Sequence, residues 1–149
     1  MSFNDLRKGR CSEKGRIYFV TTVIRDRKPY FSDLYMARKV IKQIRLLHEE
    51  EKLYSYTWVV MPDHVHWLFQ LSNEQSLSNV INLFKGRTAR ILNQHLNKKG
   101  KFWQSAYYDH AIRKDEDIKQ VARYIVANPL RAKLVERIED YPHWDADWM

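Results

Sequence analysis

The chain has 149 residues, 44% of them hydrophobic and 30% charged, a length and balance that suit one globular domain and exclude a disordered segment. Only 4 Gly and 4 Pro exclude a collagen-like or linker-dominated chain, and the single cysteine, Cys11, leaves no internal disulfide and no paired thiols for zinc or redox work. Lys and Arg total 26 against 18 Asp and Glu, a net charge of +8 that points to a polyanionic partner; 5 Trp, 9 Tyr and 6 Phe supply rings for packing or base stacking. The lone thiol, an N-terminus with no apolar signal core and no apolar run near the ~20 residues of a membrane span all read as a soluble cytoplasmic protein.

There is no repeat or linker, so residues 1–149 read as a single domain. Residues 17–24 are β-branched and aromatic on both alternating faces, as in a central strand. Ser32 or Asp33 then caps a helix whose apolar positions Leu34, Ala37, Ile41, Ile44 and Leu47 recur at three and four. Residues 54–61 form a second strand, and Pro62-Asp63 turns the chain into a third at 64–71. A longer helix spans about 76–96, with Leu77, Val80, Ile81, Phe84, Ile91 and Leu92 as its buried stripe. A strand at 107–113 comes next. Asp115 then caps a last helix, which Pro129 stops. The order β-α-β-β-α-β-α predicts an α+β, ferredoxin-like split βαβ fold. Its four-stranded antiparallel sheet carries two helices on one face, with an added C-terminal helix bearing Tyr124. The opposite face is left open for binding.

The third strand carries the chemistry. Val65, Trp67, Phe69 and Leu71 alternate onto the core face, so His64 and His66 share the other face and their imidazoles can converge on one ion. Neutral imidazole suits divalent transition metals and, with oxygen ligands added, Mn²⁺ or Mg²⁺ at a phosphate. On the last helix Gln120, Tyr124 and Asn128 are four apart and share a face distinct from the packing face of Ile118, Val121, Ala122 and Ile125. Taken singly, each of these residues is equally at home as an ordinary surface or strand residue.

Together they resemble a family. Residues 58–68 (WVVMPDHVHWL) resemble the histidine–hydrophobe–histidine motif of single-tyrosine, single-strand DNA transposases of the IS200-like kind. The segments Phe102-Trp103-Gln104, residues 109–113 (DHAIR) and residues 124–129 (YIVANP) are similar to the branch called REP-associated tyrosine transposases. The likeness runs from about Gly15 to Trp144, with the motifs in the family's order. It implies cleavage and rejoining of single-stranded DNA beside a hairpin, through a 5′-phosphotyrosine and a free 3′-hydroxyl. Tyr124 is then the nucleophile, His64 and His66 hold Mg²⁺ or Mn²⁺, and Asn128 stands at the third ligand position. Family members build the site within one chain or exchange the tyrosine helix across a homodimer. Two other readings stay open: a non-catalytic single-strand binder, and a hydrolytic metal phosphodiesterase in which water attacks.

Further residues follow from charge and position. Lys85, Arg87 and Arg90 on the second helix, with Arg113 after the fourth strand, are candidates for phosphate contact, against a plain solvated face. Arg7, Lys8 and Arg10 read as a basic arm or a frayed terminus. Asp63 either orients an imidazole or makes the turn, and Gln120 stands one turn from Tyr124. His110 reads first as a satisfied sheet histidine and second as a proton carrier.

Overall fold

A computed structural model of the protein describes residues 16–113 and 116–147. Strand β1 (Ile17–Val23) leads through short 3-10 turns to helix α1 (Leu34–Glu49), then strands β2 (Leu53–Met61) and β3 (His64–Leu71). Helix α2 (Leu77–Leu96), strand β4 (Tyr108–Ala111), helices α3 (Ile118–Val126) and α4 (Asn128–Arg131), and strand β5 (Trp144–Ala146) complete it. The sheet order is β4-β1-β3-β2-β5, and every pairing is antiparallel. The first four strands thus have the expected split βαβ order. The sheet has a fifth strand, which the sequence reading did not foresee. Trp144–Ala146 is too short to announce itself by periodicity and is held by its neighbours: Tyr141 donates its hydroxyl to the Val60 carbonyl at 2.6 Å, and Val60 N–H bonds to the His143 carbonyl at 2.9 Å.

The helices start where short polar side chains can satisfy free N–H groups. Asp33 accepts from the Met36 amide at 3.1 Å, and Ser76 from the Asn79 amide at 3.2 Å. One face of the sheet, with Val65, Trp67, Phe69 and Leu71 of β3, packs beneath α1 and α2 in the main core. Within α2 Val80, Ile81, Phe84 and Leu92 of the expected stripe are buried and Leu77 packs against them, but Ile91 is only half-buried, and a polar residue, Thr88, takes its place in the core. Thr88 is buried because its hydroxyl bonds back to the Phe84 carbonyl at 2.8 Å and accepts from the Trp103 indole N–H at 2.8 Å.

The second face is not open throughout. Tyr56, Val59, Met61 and Leu68 form a smaller core there with Ile118, Ala122 and Ile125 of α3. This covers the β2–β3 side and explains why β2 is apolar on both faces. The β1–β4 side stays exposed, with Tyr108 and His110 on it.

The last helices depart from the expected boundaries. Asp115, the expected cap, lies outside the described residues, as do Arg7, Lys8, Arg10 and Cys11. The cap of α3 is Asp117, which accepts from the Lys119 amide at 2.9 Å. Pro129 does not stop the helical path. It sits in the first turn of α4, where its missing N–H has no bond to lose, so the chain winds on to Arg131.

Thr88→Val keeps the shape of the core but strands the buried indole N–H of Trp103, at a cost of about 1–3 kcal/mol. A urea unfolding curve should show the midpoint falling with an unchanged slope; an unchanged midpoint would mean the bond carries no stability.

Candidate active site

His64 and His66 sit two apart on β3, across from Val23 and Thr21 of β1 and Met61 and Val59 of β2. Their rings lie edge to face, 4.7 Å between centroids. Each is held through Nδ1. His64 Nδ1 is 2.6 Å from Asp63 Oδ1, and His66 Nδ1 is 2.7 Å from Thr21 Oγ1. A carboxylate can only accept, so His64 carries its proton on Nδ1 and turns the lone pair of Nε2 outward. His66 can do the same by donating to Thr21. Asp63 is itself gripped by Arg27, whose Nη1 donates to Oδ2 at 3.1 Å. Burial acts to raise Asp63, but the bonds from His64 and Arg27 outweigh it and hold the carboxyl below its usual range. His66 goes the other way from an ordinary histidine. Burial, then the charges of His64 and Arg131, push it down from 6.5 to about 3, which keeps the imidazole neutral.

Tyr124 comes to this pair from α3, on the same face of the sheet. Its ring is 6.5 Å from that of Phe19, which is in turn 5.4 Å from His66, both contacts edge-on. Tyr124 is 56% exposed, so its hydroxyl is open to a large substrate. The guanidinium carbon of Arg131 lies over the Tyr124 ring, 3.8 Å from its centroid, a cation against the ring face. Asn128, one turn beyond Tyr124, is half-buried, and its amide bonds to no group among the described residues. Gln120, one turn earlier, is exposed.

Among the described residues no three His, Cys, Asp or Glu side chains cluster as a metal site. Two imidazole Nε2 atoms with an amide oxygen, which Asn128 could supply, are an uncharged donor set whose chemistry fits a divalent ion.

The other sequence candidates lie apart. Helix α2 covers the opposite face of the sheet, so Lys85, Arg87 and Arg90 are separated from the histidines by the sheet itself. Lys85 donates to the carbonyls of Gln104 and Ala106 at 2.9 and 3.2 Å, clamping the loop before β4. Arg87 pairs with Glu50 at 3.0 Å, and Arg90 is exposed. His110 shares the histidine face through its register with Phe19, but its Nε2 is 2.9 Å from Glu116 Oε1. Arg113 is exposed and lies 3.8 Å from the same carboxylate.

Four residues of the site were not singled out from the sequence: Phe19, Thr21, Arg27 and Arg131. Thr21 and Phe19 follow only once the β1–β3 register is known. Arg131 is seven residues beyond Tyr124, two helical turns along the same face, and was hidden by taking Pro129 as the end of the helix.

Comparison with known proteins places the chain in a family. The family described as "Transposase IS200 like" matches residues 13–128. A protein of Haemophilus influenzae, provisionally named a REP-associated tyrosine transposase, is 30% identical over 145 residues, covering 87% of this chain and 79% of its own. The REP-associated tyrosine transposase of Escherichia coli K12 is 26% identical over 133 residues, covering 87% of this chain and 75% of its own. Among solved structures, a REP-associated tyrosine transposase bound to a REP hairpin shares the fold with a TM-score of 0.72 at 24% identity, over 88% of this chain and 76% of that one. The chain belongs to the IS200-like transposases, in their REP-associated tyrosine transposase branch.

The buried, positively flanked setting of His66 has a measurable consequence. Its folded value of about 3 lies below the unfolded 6.5, so the unfolded chain takes up the proton first. The stability due to the neutral ring is complete above 6.5 and drains away as the pH falls toward 3. Imidazole ¹⁵N shifts of the metal-free protein should show His66 still neutral at pH 5; a titration midpoint near 6.5 would contradict the site geometry.

Proposed function

We propose that the protein nicks and rejoins single-stranded DNA near hairpins, using Tyr124 as nucleophile and a divalent ion as cofactor. The observation that carries this reading is an exposed tyrosine packed on Phe19, whose ring in turn packs on His66 of an Nδ1-anchored histidine pair. The related transposase solved with a REP hairpin supports DNA of that shape as the partner.

In the reaction, the Tyr124 phenol oxygen bonds to the scissile phosphorus and gives up its proton to solvent. The bond from phosphorus to the 3′-oxygen of the preceding nucleotide breaks, and that oxygen leaves as a 3′-hydroxyl after taking a proton. The 5′-phosphate stays on Tyr124 as a diester. Because one phosphodiester is exchanged for another, a 3′-hydroxyl can reverse the step and join strands; water would discard the bond. Mg²⁺ or Mn²⁺ held by His64, His66 and Asn128 would polarise the phosphate and offset charge on its oxygens. Asp63 and Thr21 act by holding the imidazoles in the tautomer and orientation that leave Nε2 available. Arg131 steadies the Tyr124 ring and brings a fixed cation to the phosphate.

Wild-type protein with labelled hairpin DNA and Mn²⁺ should give a covalent band on a denaturing gel that EDTA abolishes. Tyr124→Phe should lose the band yet keep DNA binding, and His64→Ala or His66→Ala should lose it too. Cut DNA without an adduct would mean that water attacks and the enzyme is a hydrolase. Binding with neither cut nor adduct would leave a single-strand binding module.

Arg131→Gln should slow adduct formation by about 10²-fold, the usual loss when one fixed charge-stabilising donor is removed. Arg131→Lys should recover only part of the rate, because an ammonium cannot lie flat on the ring. Wild-type rates in both variants would limit Arg131 to a surface contact.

A further inference from the structure

A second concentration of positive charge lies away from Tyr124 and away from the cations on α2. Arg25, Lys28, Lys98, Lys99 and Lys101 line one pocket of about 210 Å³, in which Asp26 is the one acidic group. That carboxylate is 4.0 Å from Arg25, leaving the four lysines with no acidic partner among the described residues. Two rings also line the pocket, but neither is free to stack on a base. Phe102 is buried, and Tyr30 is covered by Phe102 at 5.6 Å and by Lys98, whose Nζ donates to its hydroxyl at 2.6 Å. The lining therefore suits negative charge without base recognition.

The pocket is joined to the site by one short loop. Asp26 and Arg27 both adopt left-handed backbone, with φ of 60° and 50°, which non-glycine residues enter only at a cost. The turn is held by the Arg27 amide bonding to the Ile24 carbonyl at 2.9 Å and by the Arg27 side chain on Asp63. It separates two roles within four residues: Arg27 reaches the carboxylate that anchors His64, while Arg25 and Lys28 on either side line the pocket. The opposite wall comes from the segment after α2, which turns through a left-handed Asn97 and presents Lys98, Lys99 and Lys101.

We infer that this pocket grips the phosphodiester backbone of the DNA flanking the scissile phosphate, as a sequence-independent anchor. The inference rests on the DNA-nicking reading above and adds where the substrate continues beyond the site. It also accounts for a concentration of positive charge that has no acidic partner beyond Asp26 among the described residues.

The test measures equilibrium binding of a labelled hairpin oligonucleotide with a single-stranded flank across a range of salt, in a Tyr124→Phe background so that no cleavage intervenes. The combined Lys28→Gln, Lys99→Gln and Lys101→Gln variant changes only exposed side chains. It should bind more weakly, with a log–log salt slope shallower by about 2 to 3, since each lost phosphate contact removes 0.7 to 0.9. A matched variant, Arg38→Gln, Lys42→Gln and Arg45→Gln on α1, removes the same charge elsewhere and should change the slope less. Repeating the titration with the stem alone and the flank alone assigns the contact to duplex or single strand, and a loss on either upholds the pocket. An unchanged slope in the lysine variant, or an equal change in both variants, overturns the inference while leaving the nicking reading intact. Failure of the Tyr124→Phe protein to bind the hairpin at all would overturn the DNA reading itself, and the pocket with it.

Discussion

The 2.6 Å contact between His64 Nδ1 and Asp63 Oδ1 is the interaction on which the rest of the site depends. It forms because a two-residue turn between β2 and β3 puts a carboxylate directly before the histidine, and it decides which nitrogen His64 turns outward. The same carboxylate takes Arg27 on its other oxygen, so the loop after β1 is tied to the site by a charged pair on a half-buried acid. His66 is held differently, by a neutral hydroxyl from the neighbouring strand. One anchor is local in the chain and the other crosses the sheet, yet both leave Nε2 as the free nitrogen.

Two-sided burial of the central strands makes this possible. The main core under α1 and α2 fixes β3 from one face, and α3 closes part of the other with Ile118, Ala122 and Ile125 against Val59, Met61 and Leu68. That smaller core orients α3 so that Tyr124, on its far side from the apolar stripe, meets Phe19 beside His66. Burial also desolvates His66, repulsion between the two protonated rings and from Arg131 adds to the effect, and a neutral imidazole is the product. Packing and electrostatics therefore act in the same direction at His66.

Positive charge is distributed by task. Lys85 serves the fold by clamping three successive carbonyls of the loop before β4, and Arg87 serves it by pairing with Glu50. Arg131 serves the site by lying on the Tyr124 ring. The lysines after α2 collect with Arg25 and Lys28 around one pocket, where Lys98 also holds the Tyr30 hydroxyl and Lys101 the Ser105 hydroxyl.

The sequence by itself determined the strands and helices of the split βαβ unit, the shared face of His64 and His66, and the helical spacing of Tyr124 and Asn128. Each of these follows from periods of 2 or 3.6 residues, which depend only on neighbours along the chain. Asp63 was legible for the same reason, standing next to His64. Thr21 and Phe19 were not, because the β1–β3 register is set by pairing residues some 45 positions apart. Arg131 was missed because a proline reads as a helix end, whereas in the fold it opens a second short helix that brings the arginine back over Tyr124. Lys85 and Arg87 looked like phosphate contacts because charge and spacing do not say what a cation pairs with. Only the tertiary structure decided that, by bringing the carbonyls of residues 104–106 against Lys85 and Glu50 against Arg87.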